Sequence, residues 1–213
     1  MVKFLIVRHG HSVANEQSIF AGITDVALSK IGEQQAEAVS NYILNNHQID
    51  AIYSSQLSRA KNTIKKVSES LNIPIITNPA FNEVYGGKWE GLKFEEIYNL
   101  YTEDFVTWLN DILNSRCTDG ESFKQVCQRT SQELKRLAEG NEGKTILIAT
   151  HAGALRSIVT SLKNLNDEEC AKLGWVSNAS TTTVIYQDGN FQIQKMGFDE
   201  YLNDLKTALP KNV

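Results

Sequence analysis

The sequence predicts an α/β protein: a three-layer α/β/α sandwich around a mostly parallel, six-stranded sheet with one antiparallel edge strand. Two continuous apolar runs, residues 4–7 and 146–149, are typical of strands that are buried on both faces. Segments with apolar residues at helical spacing alternate with such strands, which favours parallel strands joined by helices. The chain contains no internal repeat or obvious linker, so we expect a single domain over residues 1–213.

The composition limits the class of protein. Hydrophobic residues make up 41% of the chain and charged residues 22%, so a sizeable core can be buried. The net charge of −4 argues against a general nucleic-acid binder, which would carry a basic face. The apolar start is too short for a signal peptide, and no stretch approaches the ~20 apolar residues of a membrane span. We therefore expect a cytoplasmic protein that binds neither nucleic acid nor membrane.

The cysteines are odd in number and widely spaced, at Cys117, Cys127 and Cys170. This pattern is typical of reduced thiols in a cytosolic protein. None of them has an arginine at the sixth following position, so the phosphate loop of cysteine-dependent phosphatases is missing.

The first strand ends in a candidate site. Residues 4–7 run directly into Arg8, His9 and Gly10, and the glycine lets the backbone turn at the carboxyl end of the strand. Ligands of open α/β sheets bind beyond that end. A polar loop over residues 12–25 follows, and Ser29 is expected to cap a helix that ends near residues 45–46.

The second and third strands are expected near residues 50–53 and at residues 75–77. Between them, apolar residues with a 4-3-4 spacing predict a helix, and Arg59 lies in its first turn. A cation there is unfavourable for the helix, which makes a role in anion binding attractive. After the third strand, glycines and aromatic residues over residues 81–91 indicate a shaped binding loop, and Glu83 lies near its start.

The second half of the chain continues the pattern. We expect one helix over residues 93–113, with Phe105, Trp108, Leu109 and Ile112 as its apolar face, and then a helix capped by Ser122 and Gln125. The strongest strand, residues 145–150, leads into His151, and a helix follows from about residue 154 to residue 162. The backbone amides at this helix start form a natural anion site. A hairpin near residues 181–193 and a short helix near residues 199–205 complete the prediction.

Polar residues at the predicted strand ends suit a phosphoryl group. The set comprises two arginines, two histidines, an asparagine and a carboxylate: Arg8, Arg59, His9, His151, Asn15 and Glu83. Guanidinium groups bind phosphoryl oxygens in a bidentate manner, and a carboxylate can act as acid or base. No Walker loop occurs. A metal site of His9, His11 and His151 is the competing interpretation, which we do not favour.

An ordered set of motifs over about residues 4–190 resembles the histidine phosphatase superfamily, and within it the phosphoglycerate-mutase-like branch. The motifs are residues 5–12 with Asn15, residues 28–36, residues 54–60, Glu83 with residues 89–91, residues 120–122 and residues 150–153. The resemblance implies a phosphohistidine intermediate on His9. It further implies that Arg8, Arg59, His151, Asn15 and the backbone at Ala152 hold the phosphoryl group, and that Glu83 donates a proton.

Differences from the mutase motifs favour phosphatase activity over mutase activity. Mutases carry an insertion with paired arginines, whereas Arg116, Arg129 and Arg136 are not adjacent here. We therefore expect a phosphomonoesterase that needs no cofactor or metal and acts on a small phosphorylated metabolite. A 2,3-bisphosphoglycerate-dependent mutase is the alternative, and an inactive binding protein of the same fold is a third hypothesis. The oligomeric state is open, with a homodimer as the assembly considered. The substrate-pocket candidates are Phe20, Gly22, Ile23, Tyr85, Trp89 and the segment 93–116.

Overall fold

A computed structural model of the chain describes residues 1–208 and contains one six-stranded sheet. The strands are β1 (Val2–Arg8), β2 (Ala51–Ser54), β3 (Ile75–Thr77), β4 (Thr145–Thr150), β5 (Thr181–Gln187) and β6 (Asn190–Phe198). Their order is β3-β2-β4-β1-β5-β6, and the first four are parallel. The predicted six-stranded, mostly parallel sheet is confirmed. Its antiparallel strand is β5, which lies next to the edge rather than at it, because the hairpin places β6 outside β5.

Eight α-helices accompany the strands in the described residues. They are α1 (Val13–Glu16), α2 (Lys30–Asn46), α3 (Ser58–Leu71), α4 (Phe94–Leu100), α5 (Thr102–Asn110), α6 (Phe123–Glu139), α7 (Ala152–Lys163) and α8 (Asp167–Lys172). Short 3-10 turns cover Pro79–Phe81, Gly87–Trp89, Ile112–Asn114 and Glu200–Leu205. The last five residues of the predicted domain, 209–213, lie outside the described residues.

Successive side chains of β1 enter two different cores. Phe4 and Ile6 pack in a core that includes residues of α6 and α7, whereas Leu5 and Val7 pack against residues of α2 and α3. This alternation is what a strand produces when both faces of its sheet are covered. The three-layer α/β/α arrangement that the apolar run predicts is therefore confirmed.

A third core is rich in aromatic side chains and includes residues of α4 and α5. Trp89 is fully buried at its centre and makes edge-to-face contacts with Phe20, Phe105 and Trp108. Aromatic pairs in this geometry add stability beyond their buried area. This core supports one wall of the pocket described below.

The predicted helix caps are confirmed. The Oγ of Ser29 accepts from the backbone N–H of Gly32 at the start of α2, and Ser122 forms a capping box with Gln125 at the start of α6. These hydrogen bonds satisfy backbone donors that have no partner inside the helix. The starts of α2 and α6 could therefore be predicted from their capping residues, Ser29 and Ser122.

The single helix predicted over residues 93–113 is wrong. Tyr101 leaves the helical conformation, with φ −134° and ψ 47°, and separates α4 from α5. Thr102 begins the new helix, and Glu103 and Asp104 in its first turn favour a helix start by their charge. Leu109, predicted on the apolar face, is exposed. The short helices α1 and α8 were not predicted, because neither shows a helical apolar period.

No α-helix among residues 1–208 combines the length and the apolar character that crossing a bilayer requires.

Candidate active site

A pocket lies beyond the carboxyl ends of β1 and β4. It is lined by polar residues that the sequence singled out and by apolar residues, most of which it did not. The lining residues are Arg8, His9, Ser12, Ala14, Asn15, Ile19, Phe20, Ala21, Arg59, Glu83, Val84, Phe94, Trp108, Ala152, Gly153 and Trp175. The structure thus brings Arg8, His9, Asn15, Arg59, Glu83 and Ala152 together around one space.

His9 follows β1 and is buried at the pocket floor. Its Nδ1 lies 2.7 Å from the backbone oxygen of Gly10. Because a carbonyl oxygen can only accept, Nδ1 carries the proton and Nε2 retains a free electron pair. Burial, together with the charges of Arg59 and Arg8, lowers the pKa of His9 well below its usual range. The ring is therefore neutral and can act as a nucleophile through Nε2.

Two glycines allow the turn that presents His9. A Cβ on Gly10 would lie 2.7 Å from the backbone oxygen of Gly32, and a Cβ on Gly32 would lie 1.9 Å from that of His11. The start of α2 thus packs directly against this turn. The N–H of Gly10 also donates to the Oγ1 of Thr63 on α3, at 2.9 Å. The turn after β1 is therefore fixed by both helices that cover this face of the sheet.

His151 follows β4 and lies against His9, with 5.0 Å between the ring centroids. Its Nε2 lies 2.7 Å from the Oγ of Ser55. The ring is fully buried and is not among the side chains that line the pocket surface. Burial, followed by the charge of Arg59, lowers the pKa of His151 well below its usual range.

These buried neutral histidines predict a pH-dependent stability. Below about pH 6.5 the unfolded chain binds protons that folded His9 and His151 exclude, so the free energy of unfolding falls as the pH falls. We expect a loss of about 1 kcal/mol per histidine between pH 6.5 and pH 5.5. Urea unfolding of wild type and His151→Asn at both pH values measures this. The variant should lose about 1 kcal/mol less than wild type over the same interval; equal losses would contradict a neutral His151.

Arg8 supplies positive charge on one side of the pocket. Its Nη1 donates to the backbone oxygen of Val176. Burial, opposed in part by the carboxylate of Glu83, lowers the pKa of Arg8 to about 10, so it remains charged at neutral pH. Within residues 1–208, the buried Nε of Arg8 and Nδ1 of His151 have no hydrogen-bond partner. Such an unmade bond costs about 1–3 kcal/mol, which a ligand at this position could recover.

Arg59, in the first turn of α3, is almost fully buried. Its Nη1 donates to the backbone oxygen of Thr24 at 2.9 Å, and its Nη2 donates to those of Ala21 and Gly22 at 2.8 and 2.7 Å. Burial lowers the pKa of Arg59, while the carboxylates of Glu83, Asp25 and Glu90 oppose that shift. Arg59 therefore both lines the pocket and holds the loop before α2 in place.

Glu83 lies at the N-terminal end of α7. Its Oε2 accepts from the N–H of Gly153 at 3.0 Å, and its Oε1 accepts from those of Ala154 and Val84 at 3.1 and 2.9 Å. A carboxylate is favoured at this end of a helix by the free amides and the helix dipole. A Cβ on Gly153 would lie 2.6 Å from Oε1, so only glycine gives the carboxylate this space.

Asn15 and Ala152 complete the polar part of the pocket. The Oδ1 of Asn15 accepts from the N–H and Oγ of Ser12 and from the Nδ2 of Asn178. These contacts all use the oxygen of the Asn15 amide, which leaves its N–H groups for a ligand. Ala152 is the first residue of α7, and its backbone belongs to the helix start that the sequence predicts as an anion site.

The predicted substrate-pocket residues lie at different places around the pocket. Phe20 lines the pocket, whereas Trp89 is fully buried behind Phe20. Gly22 does not line the pocket, but its backbone oxygen accepts a hydrogen bond from Arg59, which does. Ile23 and Tyr85 are exposed on a neighbouring shallow groove. The sequence pattern alone could not distinguish residues that line the pocket from residues buried in the core, because apolar and aromatic loop residues are suited to both positions.

Trp175 is the aromatic residue of the pocket wall that sequence reasoning missed. Phe94 and Trp108 come from the segment 93–116 that was proposed for selectivity, but Trp175 comes from a loop with no pattern of its own. The ring of Trp175 stacks on that of Trp108, with 6.4 Å between the ring centroids. The Cζ of Arg156 lies 4.5 Å from the ring centroid of Trp175. Within the described chain, the buried Nε1 of Trp108 has no hydrogen-bond partner.

The competing metal interpretation concerns His9, His11 and His151. In the described residues, no three histidine, cysteine, aspartate or glutamate side chains are arranged to hold a metal ion. His11 instead places its Nδ1 2.9 Å from the Oγ of Ser29.

A mostly parallel sheet with histidines, arginines and a carboxylate at its carboxyl edge is typical of an enzyme of phosphoryl transfer. The chain belongs to the histidine phosphatase superfamily (branch 1), whose family profile matches residues 4–199. It is a histidine-dependent phosphatase, and a phosphohistidine intermediate is general to this family.

Named relatives of this chain include both mutases and phosphatases. It is 32% identical to a 2,3-bisphosphoglycerate-dependent phosphoglycerate mutase of Methanococcus vannielii, over 81% of this chain and 86% of the relative. It is 27% identical to phosphoserine phosphatase 1 of Hydrogenobacter thermophilus, with both chains covered in full. Among solved structures, Bacillus stearothermophilus YhfR shares the fold, with a TM-score of 0.90 and 24% identity over 95% of this chain and 100% of that one.

Proposed function

We propose that the protein hydrolyses small organic phosphomonoesters whose leaving group is neutral and largely apolar. The observation that carries this proposal is the pocket wall. Arg8 and Arg59 are the cationic side chains that line the pocket, whereas Phe20, Trp108 and Trp175 are prominent in the remaining wall. A second acidic group on the substrate would lose its hydration in the pocket without gaining a cationic partner, and burying such an unpaired charge is unfavourable.

The first chemical step forms a phosphohistidine. The Nε2 of His9 attacks phosphorus, and the bond from phosphorus to the ester oxygen breaks. The negative charge of a bound substrate phosphate favours the protonated form of Glu83, which gives its proton to that leaving oxygen, so a neutral alcohol departs. The Nδ1–H bond to Gly10 supports this step, because it stabilises the positive charge that develops on the ring.

The second step regenerates the enzyme. Water attacks phosphorus, the bond to Nε2 of His9 breaks, and Glu83 takes the proton of the attacking water. Inorganic phosphate then leaves. The backbone hydrogen bonds on the carboxylate keep it near one position, which the leaving ester oxygen occupies in the first step and the attacking water oxygen occupies in the second.

Positive and hydrogen-bonding groups would hold the transferring phosphoryl oxygens. Arg8, Arg59 and the amide of Asn15 line the pocket, and the backbone of Ala152 lies at its edge. His151 contacts the nucleophile and carries a buried nitrogen without a partner in the described residues. Preorganised donors of this kind stabilise charge in the transition state without reorganising.

A 2,3-bisphosphoglycerate-dependent mutase is the second candidate, favoured by the similarity to the mutase of Methanococcus vannielii. That reaction requires cations for two acidic groups besides the transferred phosphoryl group. The three arginines between Glu83 and His151 are bound elsewhere: Arg116 to the oxygen of Gly120, Arg129 to Glu121, and Arg136 to Glu133. None of them lines the pocket, which supports hydrolysis as the main activity.

The activities can be separated with a substrate panel. We expect kcat/KM for hydrolysis of phenyl phosphate to exceed that for 3-phosphoglycerate by at least about 10-fold, a difference of about 1.4 kcal/mol. Isomerisation of 3-phosphoglycerate should stay near background with or without 2,3-bisphosphoglycerate. Trp175→Ala should reduce the preference for phenyl phosphate, while a change at exposed Tyr98 should not. Efficient isomerisation that depends on 2,3-bisphosphoglycerate would reverse the ranking.

We further propose a cytoplasmic location, a homodimer and activity without a cofactor. The first expectation is consistent with the thiols of Cys117, Cys127 and Cys170, which are all free.

A further inference from the structure

Arg129 binds the segment that carries Glu83, although it does not line the pocket. From α6, its Nη1 donates to the backbone oxygens of Ala80 and Asn82, both at 2.8 Å, and its Nη2 donates to that of Glu83 at 3.0 Å. The remaining donors meet the carboxylate of Glu121, from Nε to Oε1 at 2.7 Å and from Nη2 to Oε2 at 3.0 Å. All five N–H groups of this guanidinium therefore have a partner.

Glu121 extends the contact to the other side of Glu83. Its backbone N–H donates to the oxygen of Tyr85 at 2.8 Å, and its Oε2 accepts from the N–H of Tyr85 at 3.3 Å. Gly120 allows this approach, because a Cβ there would lie 2.4 Å from the Tyr85 oxygen. Ser122 caps the helix that carries Arg129. The motif over residues 120–122, to which the mechanism gives no chemical role, thus serves the Glu83 segment.

We propose that Arg129 and Glu121 are positioning residues that fix the backbone of Glu83, so that its carboxyl group meets the leaving oxygen. This inference rests on the proposed role of Glu83 as proton donor. Apart from the 3-10 turn Pro79–Phe81, residues 78–86 have no regular secondary structure to hold them. A displacement of about 1 Å in a reacting group can reduce catalysis about 100-fold.

Lysine cannot replace arginine in this arrangement. The guanidinium is a planar fork that binds three carbonyl oxygens and two carboxylate oxygens at once, whereas an ammonium is a compact charge with three donors. Arg129→Lys therefore keeps the positive charge near His151 and Glu83 but loses most of the hydrogen bonds that the guanidinium makes. Any change in proton donation by this variant then reports position rather than charge.

The test compares two leaving groups in one protein sample. First-turnover rates of phosphoenzyme formation are measured by rapid quench for an alkyl phosphate, which needs the proton, and for p-nitrophenyl phosphate, which does not. We expect the alkyl-to-nitrophenyl rate ratio to fall about 10-fold to 100-fold in Arg129→Lys. Because both rates scale with the folded fraction, their ratio is insensitive to partial unfolding.

Three further variants make the result decisive. Arg136→Lys changes an exposed arginine of the same helix that pairs with Glu133, and its ratio should equal that of wild type. Glu121→Gln should lower the ratio in the same direction as Arg129→Lys. Unchanged ratios in both Arg129→Lys and Glu121→Gln, beside a lowered ratio in Glu83→Gln, would overturn the positioning role alone. An unchanged ratio in Glu83→Gln would instead overturn the acid role of Glu83, and the positioning role with it.

Discussion

Replacing His9 with alanine should reduce turnover by at least about 10⁴-fold, because a covalent mechanism has no substitute for its nucleophile. The cations and donors of the pocket remain, so the variant should still bind inorganic phosphate. The side chain that is removed makes a single hydrogen bond, to Gly10, and lies between positive charges. We therefore expect the free energy of unfolding to change by no more than about 2 kcal/mol.

Labelling identifies the intermediate directly. Wild type that has been mixed with a radiolabelled phosphomonoester and quenched in alkali should retain label on protein, and the label should be lost in acid, as a phosphoramidate bond requires. His9→Ala should retain none. Urea unfolding of the same variant shows whether the loss arises from chemistry or from misfolding.

His11→Ala is the matched control, since His11 is two residues away and its Nδ1 is engaged with Ser29 outside the pocket. It should keep both the label and most of the turnover. Normal turnover by His9→Ala, or loss of the label only in His11→Ala, would contradict the assignment of the nucleophile.

The polar part of the site could be predicted because it follows buried strands. Arg8 is the last residue of β1, and His9 and His151 come directly after β1 and β4, whose continuous apolar runs identify them as central strands. The ends of parallel strands meet at one edge of a sheet, so residues far apart in sequence were expected to converge. Arg59 was found by a different signal, a cation in the first turn of a helix, where it is unfavourable unless it has another role.

The apolar part of the site could be predicted only in part, because it depends on which loop packs against which. Trp89 ends a short 3-10 turn and Trp175 lies in an irregular segment, yet Trp89 is buried in the core and Trp175 lines the pocket. The difference arises from tertiary contacts: Trp89 packs against Phe20 and Phe105, whereas Trp175 lies between Trp108 and Arg156. No local pattern encodes either arrangement.

The break between α4 and α5 has a similar origin. The apolar spacing over residues 93–113 fits one long helix, but Tyr101 leaves the helical conformation and divides it. The two short helices contribute Phe94 and Trp108 to the pocket wall from different directions. Local periodicity was overridden here by packing against the aromatic core.

The contacts of Arg129 and Glu121 with the segment that carries Glu83 could be predicted only in part from the sequence. The motif over residues 120–122 predicted a helix cap at Ser122, which is confirmed. The ion pair between Glu121 and Arg129 was not predicted, because Glu121 precedes α6 and a separation of eight residues is not the i,i+3 or i,i+4 spacing of a helical ion pair. Only the three backbone carbonyls that Arg129 also binds distinguish this pair from a surface contact.

Glu83→Gln should reduce phosphoenzyme formation from alkyl phosphates by about 10²–10⁴-fold, because the amide cannot deliver a proton to a strongly basic leaving oxygen. The loss with p-nitrophenyl phosphate should be much smaller, since nitrophenolate leaves without protonation. The amide offers one acceptor where the carboxylate offers two, so a backbone N–H of Gly153 or Ala154 loses its partner. This lowers stability by about 1–3 kcal/mol, but it affects both substrates equally.

First-turnover rates must be compared, because Glu83 also activates water in the second step and steady-state rates would mix the two effects. Glu90→Gln is the matched control. Glu90 is the neighbouring carboxylate, but its oxygens accept from the backbone N–H groups of Ile23, Thr24 and Gly86, and it does not line the pocket. It holds loops together, so its substitution should reduce the rates with both leaving groups alike. A leaving-group-dependent loss in Glu90→Gln, with equal losses in Glu83→Gln, would transfer the acid role to Glu90.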